Sequence, residues 1–179
     1  GADVVCFSGD KVLGGPQAGI LVGASEWIDR ARRDPLARAL RLGRLPLVAL
    51  ESVLDAYLRQ DYAAVPALEA LRRPPEQVRQ RAAKWAEQLQ ARGLAATVVE
   101  LPAAVGAGAL AEVSLPSFAV QLQVPNAEKF AAALRTAEPP VLARIRDDAL
   151  LFDGRSVLDG EDASLIEAIV AAQVATSGA

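Results

Sequence analysis

Three prolines, Pro66, Pro74 and Pro75, fall within one ten-residue stretch, and no other feature limits the possible folds of this chain as much. Proline lacks a backbone N–H and fixes φ, so neither a long helix nor a central strand runs through such a cluster. On both sides of it the pattern alternates between strand-like and helix-like segments, as in packed α/β layers. The expected division is residues 1–65, a linker over 66–75, and a second, compact α/β domain over 76–179.

Residues 3–7 are a β-branched apolar run, read as a buried strand that ends in Ser8-Gly9-Asp10. A glycine-rich loop leads to a second strand over 18–22. Ser25 is then expected to cap a helix that Pro35 stops, residues 36–44 are arginine-rich, and residues 47–60 carry helical apolar spacing. Beyond the prolines, Val78, Ala82, Trp85 and Leu89 mark one face of a helix over 76–92, with Arg79, Arg81, Lys84 and Glu87 turned outward. Strands are expected over 95–101 and 117–124 around a Gly/Ala-rich loop, and a helix opened by Asn126 over 126–136. A hairpin turns at Asp147-Asp148 between strands 141–146 and 149–152, and a final helix over 164–174 precedes a frayed tail.

Hydrophobic residues make up 52% of the 179 and charged residues 23%, as in a globular protein, and the net charge of −3 excludes a module that attracts nucleic acid by its overall field. With no histidine and one cysteine, the chain alone supplies no His-based metal site, Ser-His triad or internal disulfide. No metal is expected, and the lone thiol fits a reducing, cytoplasmic setting. The longest uncharged apolar stretch, 101–111, is too short for a bilayer and is broken by Pro102, Gly106 and Gly108. No membrane span is expected. The absence of Met and a strand pattern close to Gly1 lead us to expect a portion of a longer polypeptide.

Lysine occurs only at positions 11, 84 and 129. Lys84 and Lys129 lie on polar helix faces. Lys11 follows a strand and precedes Gly14-Gly15-Pro16, where backbone rigidity and close ligand approach favour a desolvated amine acting as a nucleophile. A solvated lysine on a turn is the other reading. A nucleotide P-loop does not fit, because its lysine follows the glycines. A phosphate held by Ser8 and loop N–H groups remains consistent with the order of residues.

The run Phe7-Ser8-Gly9-Asp10-Lys11-Val12-Leu13-Gly14-Gly15-Pro16-Gln17-Ala18-Gly19-Ile20 resembles the cofactor-lysine motif of bacterial selenocysteine synthases, the L-seryl-tRNA(Sec) selenium transferases, which are fold type I pyridoxal-phosphate enzymes. Pro35-Leu36-Ala37-Arg38-Ala39-Leu40-Arg41 with Leu47 to Leu54 is similar to the stretch downstream of that lysine. Val105 to Leu110 with Leu115-Pro116-Ser117, and Pro140 to Asp153, resemble the family's C-terminal domain.

The resemblance implies an α/β fold made of the C-terminal part of a large cofactor-binding domain (1–65) and a small C-terminal α/β domain (76–179). Lys11 would bond covalently to pyridoxal 5'-phosphate and shuttle protons at the substrate Cα, with Asp10 orienting the amine or serving only as a turn residue. Ser8 and Gly15 would contact the cofactor, and Arg38 and Arg41 would clamp selenophosphate by forked hydrogen bonds from one helical turn. The other arginines of 30–44 would stay solvated or meet tRNA phosphates. The activity implied is conversion of seryl-tRNA(Sec) to selenocysteinyl-tRNA(Sec), by loss of the serine hydroxyl and addition of selenium, in a homo-oligomer with intersubunit sites.

A related lyase acting on a small phosphorylated amino acid or amino sugar, and a non-catalytic assembly module, are the alternatives. Gly43, Arg44, Pro46 and Ala107 depart from the family pattern and bear on the donor site. Lacking half of the large domain, the isolated chain is expected to bind cofactor poorly and to be inactive. Cys6 and Trp27, like Trp85, are expected in the core, Arg144 in a salt bridge or against substrate, and Asp147 and Asp148 only in a turn.

Overall fold

The computed structural model describes residues 1–105 and 113–177. They form two compact units that divide between Glu69 and Ala70. The Gly/Ala-rich loop, with Ala107, and the end of the tail lie outside the described residues.

In the first unit β1 (Val4–Ser8) pairs antiparallel with β2 (Gly19–Gly23), Cys6 opposite Leu21. α1 (Ser25–Arg33), α2 (Pro35–Ala39) and α3 (Arg44–Leu58) follow, then a single 3-10 turn over Tyr62–Ala64. Ser25 is the first helical residue of α1 rather than its cap, because Ala24 holds the extended capping conformation. Pro35 opens a helix as well as closing one: Asp34 accepts the Leu36 N–H at 2.9 Å, and proline at the first helical position gives up no bond. The same preference lets Pro66 begin α4 (Pro66–Arg72), so the expected linker is largely helical.

The expectation of a buried first strand is overturned. Val4, Val5 and Phe7, with Leu21 and Val22 on β2, remain 40–53% exposed. A two-stranded ribbon presents alternate side chains on both faces, and within this unit it is not sandwiched between layers.

The second unit contains α5 (Pro75–Gln90), β3 (Ala95–Ala104), β4 (Ser114–Gln123), α6 (Ala127–Arg135), β5 (Arg144–Arg146), β6 (Ala149–Asp153) and α7 (Asp162–Ser177). The strands form one antiparallel sheet in the order β3-β4-β6-β5. One face carries Ala96, Val120, Leu122, Leu150 and Phe152 into a core with Trp85 and Leu89 of α5, Phe130 and Leu134 of α6, and Ile166 and Ile169 of α7. Asn126 caps α6 by accepting the Lys129 N–H at 2.8 Å. Asp147 and Asp148, with φ of +51° and +56°, make the tight turn of the β5–β6 hairpin. β5 is shorter than the strand expected, starting only at Arg144.

Arg81 is corrected from solvent-facing to interior. Its side chain, 11% exposed, grips the Asp162 carboxylate through Nε at 2.6 Å and donates to the carbonyls of Gly154, Val157 and Leu158. The indole N–H of Trp85 reaches the same carboxylate. Arg155, 8% exposed, donates to the carbonyls of Ala70, Arg73 and Pro116, and Arg73 donates to the Asp159 carboxylate at 2.7 Å. Buried guanidinium groups persist when their donors find acceptors, and these lash the 153–162 loop to α5, to the start of β4 and to the entry of the unit.

Candidate active site around Lys11

The β1–β2 connection closes on itself through backbone bonds. Gly9 N–H donates to Ala18 O at 2.8 Å, Gly15 N–H to Gly9 O at 2.8 Å and Gly14 N–H to Lys11 O at 3.0 Å. Two glycines are required sterically. A Cβ on Gly9 would lie 2.6 Å from Pro16 O, and Gly14 combines a φ of +76° with a Cβ position 2.5 Å from Val65 Cγ1. Tyr57 of α3 adds a bond from its hydroxyl to Leu13 O at 3.2 Å. Burial, and secondarily the neighbouring Tyr62, pushes the Tyr57 phenol above its ordinary value, so it stays a proton donor to that carbonyl.

This scaffold presents Lys11 at the tip. Its Nζ lies 3.4 Å from Asp10 Oδ2, and its side chain is 53% exposed, in place of the desolvated amine expected. Loop closure consumes the N–H groups of Gly9, Gly14 and Gly15, so the Gly15 N–H is already donated. Ser8 ends β1, partly buried, on the wall of an open apolar groove of about 890 Å³ formed with Phe7, Ile20, Leu21, Leu36 and Leu40. Lys11, Arg38 and Arg41 do not line that groove.

Arg38 and Arg41 do not share a helical turn. α2 ends at Ala39 and Leu40 caps it, so Arg38 lies in the last turn and Arg41 beyond the end, both exposed. Gly43 caps α3, whose first residue is Arg44 and which includes Pro46. The structure brings Lys11 and Asp10 together and sets Ser8 and α2 around one groove, which neither Lys11 nor the arginine pair lines. Cys6 is exposed on the ribbon, not in the core, and Trp27 keeps 42% of its surface in solvent, whereas Trp85 is buried. Arg144 is exposed at the start of β5, beside Asp153 and Ser156 in a cavity of about 370 Å³. No cluster of metal ligands occurs among the described residues, and no described helix is long and apolar enough to cross a membrane.

Sequence reasoning missed Tyr57 and the three interior arginines. Tyr57 had a signal in its place on the inner face of α3, but Arg73, Arg81 and Arg155 had none, since an arginine reads alike whether its acceptors are water or carbonyls.

A family model described as L-seryl-tRNA selenium transferase matches residues 1–158. Proteins named L-seryl-tRNA(Sec) selenium transferase share this similarity. The one from Moorella thermoacetica is 44% identical over 179 residues, covering 96% of this chain and 38% of the relative. That from Hyphomonas neptunium is 41% identical over 174 residues, covering 94% of this chain and 37% of the relative. That from Aquifex aeolicus is 40% identical over 160 residues, covering 88% and 35%. The chain therefore spans little more than a third of the length of these relatives. With the match running unbroken through the lysine loop, the arginine segment and most of the second unit, the chain belongs to the L-seryl-tRNA selenium transferase family.

Proposed function

We propose that this chain contributes the cofactor lysine and the small domain to a pyridoxal-phosphate-dependent transferase that converts seryl-tRNA(Sec) to selenocysteinyl-tRNA(Sec) with selenophosphate as donor. The observation that carries the reading is one lysine held out by a closed glycine loop in a chain whose relatives are named for that transfer.

The residues at the loop fit the cofactor. The Lys11 amine is open to solvent with a carboxylate as its neighbour, and the Ser8 hydroxyl has no protein partner among the described residues. Lys11 would hold the aldehyde carbon and Ser8 a phosphate oxygen, while Gly15 shapes the loop. When bound, pyridoxal phosphate supplies a sink for the electron pair left at the seryl Cα.

The chain's own groups do the remaining work. Lys11 Nζ would remove the Cα proton of the seryl group and return a proton to its hydroxyl, which departs as water. The Asp10 carboxylate, 3.4 Å away, orients the amine between these transfers. Arg38 and Arg41 would bind the oxygens of selenophosphate, whose selenium adds at Cβ while Lys11 Nζ passes the donor's proton to Cα; water then takes up the phosphoryl group as the P–Se bond breaks, releasing inorganic phosphate. On this reading the reaction takes place in the cytoplasm, where tRNA is charged, in a homo-oligomer whose sites lie between subunits.

The test uses the complete gene product carrying this chain, seryl-tRNA(Sec) and selenophosphate. Formation of selenocysteinyl-tRNA(Sec) that Lys11→Ala abolishes supports the reading. Turnover of a small phosphorylated amino acid in place of the tRNA overturns it.

A further inference from the structure

Arginine is distributed unevenly. Six of the sixteen occupy residues 30–44, where Asp34 is the one acid, in a chain whose net charge is −3. Asp34 is engaged at the start of α2, and Arg32 pairs with Asp29 at 3.6 Å. Among the described residues Arg33, Arg38, Arg41 and Arg44 have no carboxylate partner. Arg30, Arg32 and Arg33 fall in the last turn of α1, where the helix dipole favours a cation, but its half charge is met by one of them.

Trp27 adds a feature that solvation does not explain. The Arg30 guanidinium lies over its ring at 5.0 Å from the centroid, although Glu26 stands one turn before Arg30, and the indole is 42% exposed. At helical spacing Trp27, Arg30 and Arg33 form a band about 120° wide. Such a band offers two flat surfaces for a nucleobase and two cations for phosphate oxygens.

We propose that this band on α1 is an RNA-contact surface that takes the sugar-phosphate backbone and an unpaired base of the tRNA substrate. Arg30 and Arg33 neutralise phosphates, and Trp27, with Arg30 laid on it, stacks the base. The inference rests on the tRNA reading given above, and it singles out Arg30 and Arg33 from the arginines of 30–44 and adds Trp27 as the stacking surface.

Binding of fluorescent, unacylated tRNA(Sec) by the complete gene product, measured as Kd against salt concentration, tests it. The Arg30→Gln/Arg33→Gln variant should bind at least tenfold more weakly, with the slope of log Kd against log salt reduced by about 1.5–2. Trp27→Ala should lose about 5- to 150-fold in affinity with most of the slope kept, and Trp27→Phe should recover most of that loss. Gln is a good helix former, so α1 should persist, and Arg135→Gln in α6 should leave the slope unchanged. Tight binding with an unaltered slope in the double variant, or an equal change in Arg135→Gln, overturns this proposal alone. Failure of the unsubstituted protein to bind tRNA overturns the tRNA reading as well.

Discussion

Replacing Arg155 by Met isolates the contribution of its carbonyl clasp, because methionine keeps most of the aliphatic bulk and removes every donor. The guanidinium donates to the carbonyls of Ala70, Arg73 and Pro116 at 2.7–3.2 Å from a residue 8% exposed, so little water reaches its donors. Each carbonyl left short of a donor costs about 1–3 kcal/mol, and removing the cation relieves its own desolvation, for a net loss of about 3 kcal/mol. The cost of that burial is visible in the lowered pKa of Arg155, which desolvation causes and which Asp153 partly counters. Urea denaturation followed by Trp85 fluorescence, in a Trp27→Phe background, reports the second unit. With an m-value of about 2 kcal/mol/M, the midpoint should fall by about 1.5 M. A fall of less than about 0.25 M, equivalent to about 0.5 kcal/mol, would refute the reasoning by showing that water satisfies these carbonyls equally well.

Further outcomes follow from the same contacts. The bond from Arg81 holds the Asp162 carboxyl below the usual carboxylate range, so its stabilisation is complete above the unfolded value of about 3.9 and is lost as pH falls through the lower folded value. Urea midpoints between pH 6 and pH 2 should therefore decline, less steeply in Asp162→Asn; equal declines would contradict this. Gly14→Ala forces a side chain into a φ of +76° and against Val65 Cγ1, costing about 2–4 kcal/mol of local stability, and should speed tryptic cleavage after Lys11. Arg38→Gln and Arg41→Gln should raise the KM for selenophosphate at least tenfold in the complete gene product, while unfolding midpoints shift by less than about 0.5 kcal/mol, as at exposed sites.

The second unit was largely legible because its signals are local and agree with one another. The spacing of Val78, Ala82, Trp85 and Leu89 defines α5, Asn126 opens α6, and the Asp147-Asp148 pair tolerates the positive φ that a tight hairpin demands. The first unit was less so. An apolar β-branched run reads the same whether layers cover it or not, which is why β1, Cys6 and Trp27 were expected inside. Arg81 was misplaced for a different reason: its acceptor Asp162 is 81 residues away, and helical spacing says nothing of what arrives from so far along the chain. At the site, the glycines announced a constrained loop around Lys11. Their N–H bonds turn inward to close that loop, a result of backbone geometry that composition does not encode. The arginine pair was read as one helical turn because no proline or glycine falls between Pro35 and Gly43, yet the helix ends at Ala39.

The central claim is that the Lys11 amine is the point of cofactor attachment, and covalent trapping tests it most directly. The complete gene product, incubated with pyridoxal phosphate, reduced with borohydride and digested, should yield a peptide with a pyridoxyl group on Lys11 and lose that label in Lys11→Ala. A protein that comes through reduction with Lys11 unmodified, or with the label on Lys84 or Lys129 instead, would contradict the account.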